Sequence, residues 1–228
     1  MISFEGVSKR YGSTVVLDGL DLRVAQGEFV AVIGRSGTGK STLLRIVAGL
    51  EKPDSGTVSV PEGVAVAFQE PRLLPWLGVG ANVALGLPAS QRDRAVRALA
   101  EVGLEDRAGA WPLELSGGQA QRASLARALV REPRVLLLDE PFGALDALTR
   151  LEMQSLVGRL WRDHGWTVVM VTHDVDEAVR LADRVIVLGE GSIRLELEVP
   201  GKGPRRAEDP QLAGLGRQLL GALGVTLA

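Results

Sequence analysis

The chain of 228 residues has no cysteine, which excludes disulfides, thiol nucleophiles and cysteine-based zinc sites. It has only two histidines, His164 and His173, too few for a histidine-rich metal centre. Neither sign of charge dominates. Twenty-six Lys and Arg stand against 28 Asp and Glu, a net charge of −2, so a nucleic-acid partner held by bulk positive charge is not expected. Long apolar runs are also missing. Stretches such as 29–33 and 135–138 are strand-sized, far short of the roughly 18 residues that span a bilayer. The opening segment MISFEGVSKRYG has neither a basic leader nor an apolar stretch, so a soluble, unsecreted chain is expected. The remaining composition, 46% hydrophobic and 24% charged, is that of a globular protein. At about 150 residues per domain, the length fits one or two domains.

Glycine is the excess: 28 residues, about 12% of the chain against a usual ~7%. Their placement guides the reading. Alternating apolar residues at 15–24 predict short antiparallel strands broken at Gly12, Gly19 and Gly27. Residues 28–33 read as a buried strand and 40–50 as a helix with Leu43, Leu44, Val47 and Ala48 on its apolar face. A turn at 53–56 leads to strands at 57–60 and 64–68. From Pro71 to Leu115 no strand is expected, only helical stretches such as 90–102. Helices at 117–130, 146–161 and 175–182 then alternate with strands at 135–138, 167–171 and 184–188, which predicts a parallel sheet with helices on its faces. A polar hinge at 201–210 precedes a short C-terminal helix. Its basic cluster, Lys202, Arg205 and Arg206, reads as solvated, with an approach to anionic lipid as the other option. His164 matches no motif and is expected at the surface near a helix end.

Two stretches carry chemistry. Gly34-Arg35-Ser36-Gly37-Thr38-Gly39-Lys40-Ser41 fits G-x-x-x-x-G-K-[ST] between a predicted strand and a predicted helix. Glycines let successive N–H groups turn toward phosphate oxygens, and the helix N-terminus adds its positive dipole. Lys40 is placed to reach the β- and γ-phosphates, and the Ser41 hydroxyl to ligate Mg²⁺. The second stretch, Val135 to Glu140, is an apolar strand ending in two acids, at the edge where open α/β sheets bind ligands. Asp139 would hold Mg²⁺ and Glu140 would take a proton from an attacking water. The bland alternatives are a capped glycine-rich turn and an exposed acidic turn before Pro141.

A third stretch, Leu115-Ser116-Gly117-Gly118-Gln119, offers an N-cap serine and free amides at a helix start, a second anion-binding geometry. With these three motifs in order, almost the whole chain resembles the ATP-binding subunits of ABC transporters. The resemblance implies a P-loop NTPase core of the α/β class with a mostly parallel sheet, an N-terminal antiparallel β subdomain and a helical subdomain. It implies one ABC ATPase domain over 1–228, with a core at 1–70 and 116–200, a helical part at 71–115 and a C-terminal hinge and helix at 201–228. The implied nucleotide set is Tyr11 on adenine and Gly34, Arg35, Ser36, Gly37, Thr38, Gly39, Lys40, Ser41 and Thr42 around the phosphates. Ser41, Gln69 and Asp139 are implied at Mg²⁺, and Lys40, Gln69, Glu140 and His173 in catalysis. Ser116, Gly117, Gly118 and Gln119 would contact ATP held by a second copy, and Asp146 would lie in a loop crossing that interface.

Gln69-Glu70-Pro71-Arg72-Leu73-Leu74-Pro75-Trp76 looks like importers of nitrate, taurine and aliphatic sulfonates. Asp106 to Gly109, Trp111-Pro112 and Leu145 to Gln154 look most like the aliphatic sulfonate branch. Ala120 and Gly143 depart from residues common in the family, a larger residue and a serine. The implied partners are a second copy, membrane permease subunits and, through them, a periplasmic or extracellular solute-binding protein, with no nucleic acid. The implied location is the cytoplasmic face of the membrane. Taurine or nitrate/bicarbonate import, a soluble ABC ATPase and a P-loop kinase are the competing readings. A kinase leaves LSGGQ, Gln69 and His173 unexplained.

Overall fold

A computed structural model describes residues 1–205 and 209–225. Strands β1 (Ile2–Tyr11), β2 (Thr14–Val24) and β4 (Ser55–Ser59) form an antiparallel sheet in the order β2-β1-β4. Strand β2 runs unbroken through Gly19, where the sequence reading expects a break. Gly6 and Gly19 take φ of 59° and 58° inside the strands, and pairing shifts between Phe4 and Val7 and between Val7 and Lys9. An extra residue at such a bulge resets the alternation. Phe4 and Val7, like Leu17 and Leu20, therefore all point into the core although each pair is three positions apart.

The second sheet has six strands in the order β5-β6-β7-β3-β8-β9. Strands β3 (Phe29–Ile33), β5 (Val64–Ala67), β6 (Val135–Asp139), β7 (Thr167–Thr172) and β8 (Arg184–Gly189) are parallel. Helices cover both faces, so the central strands read as unbroken apolar runs. Val30, Val32, Val169 and Val171 meet helix α1 (Lys40–Val47) and the antiparallel sheet on one face. Phe29, Ala31, Ile33, Val168 and Met170 pack on the other against α4 (Gly117–Leu129), α5 (Ala147–His164) and α6 (Val175–Leu181).

The antiparallel edge strand β9 (Ser192–Glu198) is absent from the sequence expectation, which ends the sheet at Leu188. Its Ile-Arg-Leu-Glu-Leu alternation gives half-buried apolar positions, the mark of a strand with one wet face. Between β5 and α4 lie α2 (Val79–Val83), α3 (Asp93–Glu101) and three single 3₁₀ turns, with no strand. Helix α7 (Pro210–Ala222) follows the polar hinge. Among the described residues no helix is long and apolar enough to cross a membrane.

The hinge corrects the sequence reading of Arg205, which is neither solvated nor free to meet lipid. It is only 8% exposed. Its guanidinium donates to the carbonyls of Ala182 (2.8 Å), Val179 (3.2 Å), Val199 (2.9 Å) and Pro200 (2.7 Å), and also to that of Gly201. Carbonyls left over at the end of α6 attract a cation, which a charge count along the hinge does not reveal. Arg206 lies outside the described residues. His164, by contrast, sits where expected, at the last residue of α5, bonded to Glu101 at 3.0 Å and stacked on Trp166.

Candidate nucleotide site

Strand β3 ends at Ile33 and the chain turns through Gly34–Gly39 into α1, at the carboxyl edge of the parallel sheet. Two glycines are required by contact. A methyl group at Gly39 (φ 99°) would stand 2.5 Å from the Val16 carbonyl oxygen, and one at Gly34 would stand 2.5 Å from that of Leu188. The Lys40 ammonium turns back into the loop and donates to Gly34 O (2.7 Å) and Arg35 O (2.9 Å). An ammonium has three donors, so one stays available to the cleft. Burial pushes the Lys40 ammonium below its usual range, while Glu140 and Asp139 draw it back up. Thr38 Oγ1 donates to the same Arg35 carbonyl at 2.9 Å and holds the turn.

The two acids stand at the end of β6. Burial pushes the Asp139 carboxyl up, the neighbouring Glu140 charge adds to this, and Arg45, Arg72 and Lys40 oppose it. Glu140 adopts φ 44°, a conformation that costs a non-glycine residue about 1–3 kcal/mol and gathers at functional sites. Its N–H donates to Val171 O at 2.9 Å, and its Oε2 lies 3.2 Å from His173 Nδ1. Gln69 converges on the same point. A methyl group at Gly143 would meet Gln69 Nε2 at 3.5 Å and Glu140 Oε2 at 3.8 Å, ordinary contacts that leave room for the serine common there. A cleft of about 400 Å³ runs from Val16 past Lys40, Ser41 and Thr42 to Glu140 and His173.

Other sequence-selected residues stay outside that cleft. Ser116 caps α4, accepting from Gln119 N at 3.2 Å, while Gln119 Oε1 accepts from Ser116 N at 3.0 Å. Gly117 is open, and Gly118 lies against α5, where a methyl group would strike Thr149 Cγ2 at 2.4 Å. Asp146 accepts from Thr149 Oγ1 at 2.7 Å, the bond that does most to hold its carboxyl below the usual range, and caps α5 through Leu148 N (3.1 Å) and Thr149 N (3.0 Å). Tyr11, 45% exposed, lies 5.5 Å from the Lys9 ammonium. None of these lines the cleft. A larger cavity, about 710 Å³, opens at the opposite, amino edge of the sheet beside Arg134 and Thr167. It has no phosphate loop, and its Arg94 and Arg97 are already ion-paired to Glu132 and Asp93, so size does not mark the site.

A family profile described as ABC transporter matches residues 17–143, from β2 through the phosphate loop, the signature turn and both acids. The chain belongs to the ABC transporter family. An aliphatic sulfonates import ATP-binding protein of Granulibacter bethesdensis is 59% identical over 99% of this chain and 95% of its own. A protein of the same name from Escherichia coli K12 is 56% identical, over 94% and 87%. Among solved structures, the dimeric ATP-binding cassette MJ0796 bound to ADP and Pi superposes with a TM-score of 0.78 at 33% identity, covering 88% of this chain and all of that one.

The cassette also contains positioning residues that the sequence reading missed. Gln121 donates to Phe68 O at 3.0 Å, and Arg127 donates to Pro71 O and Arg72 O at 2.7 Å each. Fully buried Asn82 accepts from Leu74 N at 2.7 Å and donates to the Leu74 and Leu77 carbonyls. These bonds fix the segment running from Gln69 to Leu77. The available signal was weak: single polar residues on otherwise apolar helix faces.

The burial of the Asp139 carboxyl yields a prediction. Its raised pKa means that the folded state pays for the ionised carboxylate at neutral pH. Asp139→Asn should therefore raise the unfolding midpoint near pH 7, with the gain shrinking as pH falls through the carboxylate range. The same variant should lose Mg²⁺-dependent ATP binding. Thermal melts across pH and a nucleotide titration check both, and a destabilised variant that still binds Mg-ATP would contradict the assignment.

Proposed function

We propose that this chain is the ATP-hydrolysing subunit of an importer of aliphatic sulfonates and that two copies close around two ATP molecules. One observation carries the reading: the cleft gathers Lys40, Ser41, Glu140 and His173, while the signature turn at 116–119 lies outside it. A single chain is then read as holding half of each site, with a second copy supplying the turn. The sulfonate assignment is supported by relatives of that name at 54–59% identity over nearly the full chain.

In this reading the amides of 34–41 and the third Lys40 donor bind the β- and γ-phosphates, and Tyr11 stacks on adenine. Ser41, Asp139 and the Gln69 amide offer the hard oxygen donors that suit Mg²⁺. Among the described residues no cluster of three or more carboxylates and histidines could cage a metal by itself, which fits an ion held largely by substrate phosphates. When bound, Mg²⁺ supplies positive charge beside those phosphates. Glu140 orients water and takes its proton as the water oxygen joins the γ-phosphorus and ADP leaves. His173 holds Glu140 and the γ-phosphate in one geometry. The partner's signature amides complete the charge stabilisation, so no arginine finger is needed.

Residues 1–70 and 116–200 act as the nucleotide-binding core, and 71–115 faces the permease on the cytoplasmic side of the membrane. The permease in turn meets a solute-binding protein. Trp76, 68% exposed beside half-buried Leu73 and Leu74, suits a docking contact next to Gln69.

Glu140→Gln keeps the shape of the side chain but cannot take a proton. It should bind ATP normally, lose turnover by at least about 10²-fold and elute as an ATP-dependent dimer in size-exclusion chromatography. A monomeric variant with unchanged turnover would place the base elsewhere. Trp76→Ala should leave the ATPase rate of the isolated chain within about twofold, as surface changes do, yet abolish co-purification with the permease and sulfonate uptake. Normal uptake would remove the docking role.

A further inference from the structure

One turn into α5, Arg150 folds its side chain back over the loop that precedes the helix and donates from Nη2 to Leu145 O at 3.1 Å. Its other nitrogens face the start of α6 without reaching it. Nη1 lies 3.9 Å from Asp174 Oδ2, and Nε lies 4.0 Å from Glu177 Oε1. That Nε is buried and has no hydrogen-bond partner. A charge-assisted N–H···O bond closes to about 2.7–2.9 Å, so a shift of about 1 Å would satisfy it.

Glu177 supports the two residues that flank His173. It is buried, and its Oε2 accepts from Thr172 Oγ1 at 2.7 Å. The same hydroxyl accepts from Asp174 N at 3.1 Å, and Asp174 caps α6 through Asp176 N and Glu177 N. Both neighbours of His173 are thus tied to one buried carboxylate, while its ring lies 3.2 Å from Glu140. Burial pushes the Glu177 carboxyl up; the Thr172 bond and, more weakly, Arg150 oppose this. A fully closed Arg150 contact would favour the charged form further.

We propose that Arg150 is the positioning residue that links the interface loop at 143–146, exposed at Gly143, Ala144 and Asp146 and buried at Leu145, to His173. It is held to Leu145 in the single chain and closes onto Glu177 and Asp174 when a second copy packs on that loop. The proposal rests on the ATP-sandwich reading and deepens it. It names one chain of contacts, from the Leu145 carbonyl through Arg150, Glu177 and the Thr172 hydroxyl to His173, by which dimer closure sets the His173–Glu140 geometry. A buried donor left without an acceptor supplies the bias toward closure.

The test compares the full-length parent with Arg150→Met, Arg150→Lys, Glu177→Gln and the Arg150→Met/Glu177→Gln pair. ATP affinity is read on dilute chain with a fluorescent ATP analogue, and ATPase rate is read against protein concentration. Arg150→Met and Glu177→Gln should each keep ATP affinity within about twofold and lower dimer turnover about tenfold. The pair should fall no further than either single change, because both break one contact. Arg150→Lys retains the charge and the packed stem and should recover part of the rate, so the result does not hang on one variant folding. Additive losses, an unchanged rate, or a loss of affinity matching the loss of rate would each overturn the link. A parent rate per chain that does not rise with protein concentration would overturn the sandwich reading and the link together, whereas additive losses with a concentration-dependent parent would overturn the link alone.

Discussion

The Lys40 ammonium, enclosed by the loop it terminates, is the interaction on which the site depends. A cation is put out of water at the start of a helix, where the dipole already disfavours it. The cost is met by two carbonyls of the same loop and by the charges of Asp139 and Glu140 across the cleft. That arrangement needs the loop to close tightly, which in turn needs Gly34 against β8 and Gly39 against β2. The antiparallel sheet therefore helps to shape the phosphate loop, because the Val16 carbonyl is one of the walls a side chain at 39 would strike.

The same logic runs along the edge of the parallel sheet. Strands buried on both faces bring their last residues to one rim, so β3, β6 and β7 deliver Gly34, Asp139 and His173 side by side although they lie far apart in sequence. Three unfavourable features gather there: a half-buried carboxylate pushed up, a buried cation pushed down and a glutamate at positive φ. Each stabilises little in the isolated chain and is arranged for charge that arrives with the nucleotide. The apolar core on both faces of the sheet holds them in place.

The motifs legible in the sequence were those written in local spacing. The glycines at 34, 37 and 39, the acids after Leu138 and the Ser-Gly-Gly turn each declare a backbone shape within a few residues. Strand-helix alternation gave the parallel sheet for the same reason. What escaped was long-range or broke a local rule. Gln121, Arg127 and Asn82 act through carbonyls of another segment, and no periodicity encodes such a bond. Gly19 looked like a strand end because glycine usually is one, whereas here it carries a bulge inside β2. Arg205 looked solvated because its hinge is polar, and the carbonyls it satisfies belong largely to α6 and the turn after β9.

The central claim is that each ATP site is divided between two copies of the chain. The most direct test mixes two inactive variants, Lys40→Ala, which lacks the phosphate-loop cation, and Ser116→Arg, which blocks the signature turn. A mixed dimer rebuilds one site from the phosphate loop of the second and the signature turn of the first. The account predicts that each variant alone is inactive and that the equimolar mixture regains roughly a quarter of the parent ATPase rate, since about half of the dimers are mixed and each has one working site. A mixture as inactive as its components, or a Ser116→Arg variant with full activity alone, would contradict it.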